Sequence, residues 1–303
     1  MSRKPVVVVG SINMDLVATA PEIPQPGQTL IGSGFATTPG GKGANQAVAA
    51  ARLGYPVHLV GLVGTDVFGQ ALRDNLAQAG VDPSAVSAIP GPSGLAQIAV
   101  AEHGENSIIV IPGANAGVTP AYIDRHAALL RSAGVVLCQL ELPLATVLHT
   151  LAQCASFGVP VILDPAPAAP LPDSVWPQIA WFTPNESESA LYTGADLSVE
   201  ETAATLHARG LHGALLKRGA QGAYLSVSGS DSAWIAPFPV EAVDTVAAGD
   251  CFNGAFAVAL LEGLAPAAAA RFAAAAAAIS VTRHGAQASM PTRAQVDAFL
   301  AKA

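Results

Sequence analysis

A chain of 303 residues that is 51% hydrophobic and only 12% charged can bury a large core, which excludes an intrinsically disordered protein. Its 29 glycines and 23 prolines fall short of low complexity. A formal net charge of −8 argues against nucleic acid or an anionic membrane as partner, so an anionic substrate has to be held by local devices.

The apolar run Val6–Val9 is too short for a signal peptide and ends in Gly10-Ser11, as a buried first strand would. Short β-like pieces follow at about 16–20 and 29–31. Pro21, Pro24, Pro26 and Gly27 punctuate them, which predicts a hairpin. A helix is expected from about 43 to 53, closed by Gly54, then a continuous apolar strand over 57–63. Asp66 is placed to cap the next helix, ending near Gly80. Residues 94–101 and 107–111 are β-rich around the turn Gly104-Glu105-Asn106.

From about residue 118 the pattern becomes regular. Strands at 135–140, 159–164, 181–183 and 213–217 alternate with helices at 143–156, 186–193 and 199–208. Unbroken apolar strands with intervening helices predict an α/β fold: a largely parallel central sheet flanked by helices on both faces. The β-rich segments at about 11–37 and 93–111 do not fit that pattern. They are expected to form a small β-sheet lid projecting from a single domain spanning 1–303. The alanine-rich stretch at 265–279, interrupted by Arg271, is too short for a membrane span and reads as a closely packed buried helix. Cys138, Cys154 and Cys251 are widely spaced, with no Cys-x-x-Cys pattern, as expected for reduced thiols in a cytoplasmic protein.

Residues 244–254 read Asp-Thr-Val-Ala-Ala-Gly-Asp-Cys-Phe-Asn-Gly. Phe252, Phe256, Leu260 and Leu261 recur at helical spacing, so a helix follows Gly249. Ala247, Ala248 and Gly249 then form a side-chain-poor turn at its N-terminus, where unpaired N–H groups and the macrodipole favour an anion. Asp250 lies in the first turn, where the helix N-terminus should keep its pKa low. An anion hole beside a carboxylate suits phosphoryl transfer to a hydroxyl. A helix capped by Asp, with small residues for close packing, is the alternative.

Two further stretches carry chemistry. Pro39-Gly40-Gly41-Lys42-Gly43-Ala44-Asn45-Gln46 places glycines and a lysine before a helix, without the spacing of a P-loop. Gly10-Ser11-Ile12-Asn13-Met14-Asp15 lacks the glycine fingerprint of dinucleotide-binding folds, which disfavours a NAD-dependent dehydrogenase. Asn13 and Asp15 lie beyond the carboxyl end of the first strand, where open α/β sheets bind ligands. They suit a polyol, or else an Asx-type turn.

Together these three motifs, in this order and spacing, resemble the signatures of the ribokinase-like (phosphofructokinase-B) sugar kinases over essentially the whole chain. The resemblance implies Asp250 as catalytic base and the amides of Ala247, Ala248 and Gly249 as anion hole. It implies a sugar site lined by Asn13, Asp15, Gly41, Lys42, Asn45 and Glu141. Asn185 and Glu188, in Asn-x-x-Glu, would help place Mg²⁺ and phosphate; a solvated helix start is the alternative there. Lys217 to Gly222, with Gly219 between, would form the nucleotide turn together with Gly249. Asp244, Val246, Ser280, Arg283, Gly285 and Ser289 would form a loop for a monovalent cation, K⁺, largely through backbone carbonyls. Val246 departs from the more common Thr. The run at 273–278, near where the family holds adenine, is almost pure alanine and offers no side-chain hydrogen bonds.

The implied activity is ATP-dependent phosphorylation of a pentose, with D-ribose converted to its 5-phosphate. A 2-deoxyribose or nucleoside kinase is the nearest alternative, and a non-catalytic sugar-binding regulator the alternative from another class. A homodimer paired through the lid is expected, with neither nucleic acid nor membrane as partner.

Overall fold

Alternate residues of the first strand, β1 (Val6–Val9), enter different cores: Val6 and Val8 one, Val7 and Val9 the other. That strand is therefore central and covered on both faces. The computed structural model describes residues 3–302; Met1, Ser2 and Ala303, the ends of the expected 1–303 domain, lie outside the described residues.

After β1 come β2 (Asn13–Ala20), β3 (Gly34–Gly40), α1 (Lys42–Arg52), β4 (Val57–Gly64), α2 (Gly69–Gln78), β5 (Val81–Asp82), β6 (Val86–Ile89), β7 (Gly94–Ala101) and β8 (Asn106–Ile111). Next are α3 (Pro120–Arg125), α4 (Ala127–Ser132), β9 (Val135–Cys138), α5 (Leu144–Phe157), β10 (Val161–Leu163), β11 (Trp181–Phe182), α6 (Glu186–Thr193) and α7 (Val199–Ala208). The chain closes with β12 (Gly213–Lys217), β13 (Ala223–Val227), β14 (Ala233–Ile235), α8 (Ala248–Leu261), α9 (Pro266–Ser280) and α10 (Arg293–Leu300).

The main sheet runs β14-β13-β12-β11-β10-β9-β1-β4-β5, with β6 also on β4. It is parallel from β12 to β5. One face carries α1, α8 and α9, whose Val48, Phe256 and Ala273 join Val6 and Val8. The other carries α3, α5 and α7 through Ile123, Leu151 and Leu206. The alanines of α9 let it lie close against α8, as a dry core requires. The antiparallel edge β13–β14 is not anticipated from the sequence. No described helix is long and apolar enough to cross a membrane.

The second sheet, β3-β2-β7-β8, is built from the two segments that break the alternation. β2 pairs antiparallel with β3 and parallel with β7. The β piece expected at 29–31 is absent: Ile31 is 92% exposed, and β-branched residues without a partner strand gain nothing from extension. The partner of β2 is instead Gly34–Gly40, in register from Thr19↔Gly34 to Asn13↔Gly40, so Pro39 and Gly40 end a strand. Asp66 lies outside its helix but accepts from Phe68 N and Gly69 N, at 3.2 and 3.0 Å.

Candidate active site

Polar side chains gather where the parallel strands end. Ser11 follows β1, Gln139 and Glu141 follow β9, Asp164 follows β10, and Lys217 ends β12. The N-termini of α1 and α8 point into the same region, the edge at which α/β sheets hold ligands.

On one side stand Asn13 and Asp15, both buried at the start of β2. Asn115 fixes Asn13: its Nδ2 donates to Asn13 Oδ1 at 2.7 Å, while its Oδ1 accepts from Ile12 N at 3.0 Å. Ser11 Oγ and Lys42 N donate to Glu141 Oε2, at 2.5 and 3.1 Å, which gives that half-buried carboxylate partners. Gly41 caps α1 at φ 88°, and a Cβ there would press on the Asn13 amide. Burial, and after it the charges of Glu141 and Asp250, raise Asp15 to about 7. Burial alone would lower the Lys42 ammonium, but Asp250, Asp164, Glu141 and Glu188 hold it above its ordinary value.

Asp250 lies in the first turn of α8, 5% exposed. Asn45 Nδ2 donates to its Oδ2 and Gln46 Nε2 to its Oδ1, both at 3.0 Å. The expected low pKa is overturned. Burial lifts Asp250 to about 6, against the pull of Lys42 and the two amides, with Asp164 adding to the rise. Desolvation outweighs the helix N-terminus because the carboxylate is almost wholly cut off from water. Asn45 is committed to this contact, and its own oxygen accepts from Gln287 Nε2 at 3.1 Å.

The turn before Asp250 is sharp. Ala247 takes φ 59°, in the left-handed region, and Ala248 N bonds Thr245 O at 3.3 Å. Ala248 N is thus taken within the turn, while among the described residues the N–H groups of Ala247, Gly249 and Asp250 have no backbone acceptor. Lys217 Nζ approaches the turn: it would lie 3.3 Å from a Cβ built on Gly249, and it pairs with Asp164 Oδ1 at 3.0 Å. Beyond Lys217 opens a cavity of about 420 Å³, lined by Gly219, Gly222, Phe238, Gly249, Ala274 and Ala278 among others. It is largely apolar, and its volume falls in the range of small-molecule pockets.

Asn185 and Glu188 form a capping box on α6: Asn185 Oδ1 accepts from Glu188 N and Glu188 Oε2 from Asn185 N, both at 2.8 Å. Both residues thus fix the start of α6. The Glu188 carboxyl also faces inward, raised by burial against Lys217, with Asp164 and Lys42 near. Asp244 Oδ1 accepts from Val246 N and Oδ2 from Gly285 N, at 2.9 and 2.8 Å, which joins loop 243–246 to the segment after α9. Ser280 Oγ and Ser289 Oγ both donate to carbonyls of their own turns, and Arg283 Nη1 reaches Ser289 O at 3.5 Å. Among the described residues no cluster of three or more His, Cys, Asp or Glu could cage a metal. A cation between these loops would rely on carbonyl oxygens. Mg²⁺ needs only one or two carboxylates when phosphates complete its shell, which Glu188 can satisfy.

Ser11, Asn115, Gln139 and Asp164 escape the sequence reasoning, as does the role of Gln46. Gln46 and Ser11 at least lie inside quoted motifs; Asn115, on a short turn far along the chain, carries no local signal.

The sequence profile of the "pfkB family carbohydrate kinase" matches residues 3–293. The ribokinase of Bacillus subtilis is 45% identical over 296 residues, covering 97% of this chain and 99% of that one. A deoxyribokinase of Salmonella typhimurium is 36% identical, covering 97% and 98%. The structure of Arabidopsis thaliana ribokinase complexed with ribose and ATP superposes with a TM-score of 0.92 at 36% identity, covering 99% of each chain.

Proposed function

The chain belongs to the pfkB family of carbohydrate kinases, and from this premise we propose that it transfers the γ-phosphoryl group of ATP to the 5-hydroxyl of D-ribose. The observation that carries the reading is Asp250, held by two amides between the buried polar groups of β2 and Lys217 of the nucleotide half.

Asn13, Asp15 and Lys42 orient the sugar. Asp250 takes the proton of the 5-hydroxyl as its oxygen bonds phosphorus and the bond to ADP breaks. Raised to about 6, Asp250 is a stronger base than an ordinary carboxylate yet still ionised at neutral pH. The Gly249 and Asp250 amides and Lys217 receive the charge of the transferred group. Glu188 and Asn185 would hold Mg²⁺, which when bound would neutralise phosphate charge. Carbonyl oxygens around Asp244, Val246, Ser280, Arg283, Gly285 and Ser289 would hold K⁺ beside the turn. Val246 fits this role because only its carbonyl is required.

The sheet β3-β2-β7-β8 acts as a lid over the sugar and excludes water, a competing acceptor. Its Phe35 and Ile109 are exposed on one face of the sheet, and pairing the lids of two chains through that face would cover them, which supports a homodimer. Buried, unpaired Cys138, Cys154 and Cys251 suit the cytoplasm.

The test is ADP release with ribose, 2-deoxyribose, fructose and nucleosides, in potassium or in sodium alone. Ribose in potassium should be fastest. No release with any sugar overturns the kinase reading, and preference for 2-deoxyribose reassigns the substrate.

A further inference from the structure

Gln46 is fully buried, and its single NH₂ group serves two carboxylates. Nε2 donates to Asp250 Oδ1 at 3.0 Å and to Asp164 Oδ2 at 2.9 Å. Its Oε1 accepts from Gln139 Nε2 at 2.7 Å. Both hydrogens and the oxygen are thus committed. Turning the amide over would set its oxygen against two carboxylates, which fixes its orientation. Asp164 in turn pairs with Lys217, whose ammonium stands beside the Gly249 turn.

We propose that Gln46 is a positioning residue of the phosphoryl transfer, its amide bridging Asp250 to Asp164 and so aligning the base with the nucleotide half through Lys217. The proposal rests on Asp250 being the base of the reaction above. Two buried carboxylates repel each other and would swing apart or take up a proton without a donor between them. The charged groups facing Asp250 are Lys42 from α1, Asp164 from the end of β10 and Asp15 from β2. Of these only Asp164 shares a hydrogen-bond donor with it. Removing that donor takes a bond from the ionised base, so the base should titrate at higher pH.

The test compares wild type with Gln46→Leu, which keeps the volume and loses the bonds. Steady-state kinetics is measured against pH, and the Asp250 carboxyl is titrated by ¹³C NMR in ligand-free protein. In Gln46→Leu kcat should fall about 30-fold or more while each KM stays within about threefold, the sign of misplaced chemistry rather than lost binding. The acid limb of kcat and the Asp250 resonance should both move to higher pH. A kcat within about threefold of wild type overturns the proposal, as does a lower kcat with limb and resonance unmoved.

Gln139→Met leaves both carboxylate bonds and releases only the amide oxygen; it should lose less kcat, in the same direction. Unchanged kcat and titration in Gln139→Met overturns the anchored bridge even where Gln46→Leu does not fold. The titration needs no turnover. A wild-type chain that releases no ADP therefore fails the kinase reading separately, while the NMR still judges the bridge.

Discussion

The carboxyl group of Asp15 lies over the Cα of Gly40, in the space that a side chain at residue 40 would fill. The β2–β3 register brings the two together, since Asn13 pairs with Gly40 and Asp15 with Thr38. The absence of one methyl group on β3 thus aims a carboxylate of β2. Gly40→Ala should push Asp15 off its position and raise KM for ribose about tenfold or more, the loss of roughly one good hydrogen bond to a charged group. KM for ATP should hold, and a rise shared by both substrates would show general damage instead.

Asp15 also sets a pH dependence. Its carboxyl sits at about 7 in the folded chain against 3.8 unfolded. Between those values the folded state keeps a proton that the unfolded state has released, so stability falls as pH rises through the window and levels off above about 7. Asp250, raised to about 6, acts with the same sign. In sugar-free protein, Asp15→Asn should therefore raise the Tm at pH 8 by several degrees and leave it nearly unchanged at pH 4. A gain of equal size at both values would contradict a raised Asp15.

Asp250→Asn keeps shape and removes the proposed base. Turnover should fall by about 10²–10⁴, the usual worth of a positioned base. Ribose should still raise the melting temperature of the variant. Substantial remaining turnover would move the base elsewhere.

Ala247 holds φ 59° without being glycine, at a cost of roughly 1 kcal/mol. Ala247→Gly should keep kcat within about twofold and leave the Tm unchanged or slightly raised, relief in the folded state being set against greater freedom in the unfolded one. Ala247→Val should lower both, because a β-branched residue tolerates that backbone poorly. Equal behaviour of the two variants would place the turn elsewhere in conformational space.

The outer face of the lid supplies a fifth residue to alter. Ile109, 61% exposed on β8, lies on the face proposed above to pair in a homodimer. Wild type is expected to sediment as a dimer and Ile109→Lys as a monomer at the same concentration, since burying an unpaired ammonium is costly. An unchanged dimer would place the interface on another face.

The fold is largely legible in the sequence because buried parallel strands are uniformly apolar: residues 6–9, 57–63 and 213–217 announce themselves by composition alone. β13 and β14 do not, being short strands whose pairing a hairpin decides, and 29–31 misleads because propensity does not supply a partner. Within the site, Asp250 and the turn before it can be read from adjacent residues. Asn115 meets Asn13 across 102 positions and Gln46 meets Asp164 across 118, contacts that no local spacing encodes. The pKa of Asp250 fails for the same reason: its place in a helix is local, but its isolation from water is made by everything packed around it.

Asn45 and Asp250 are 205 residues apart, and neither half of the reaction centre is complete without the other. As the chain is synthesised, β2 and β3 emerge first, and α8, bearing the proposed base behind its N-terminal turn, comes late. A chain made only to its midpoint carries Asp15 and Glu141 but neither Asp164 nor Asp250. The two halves of the site meet only once α8, from Ala248 on, has packed against α1.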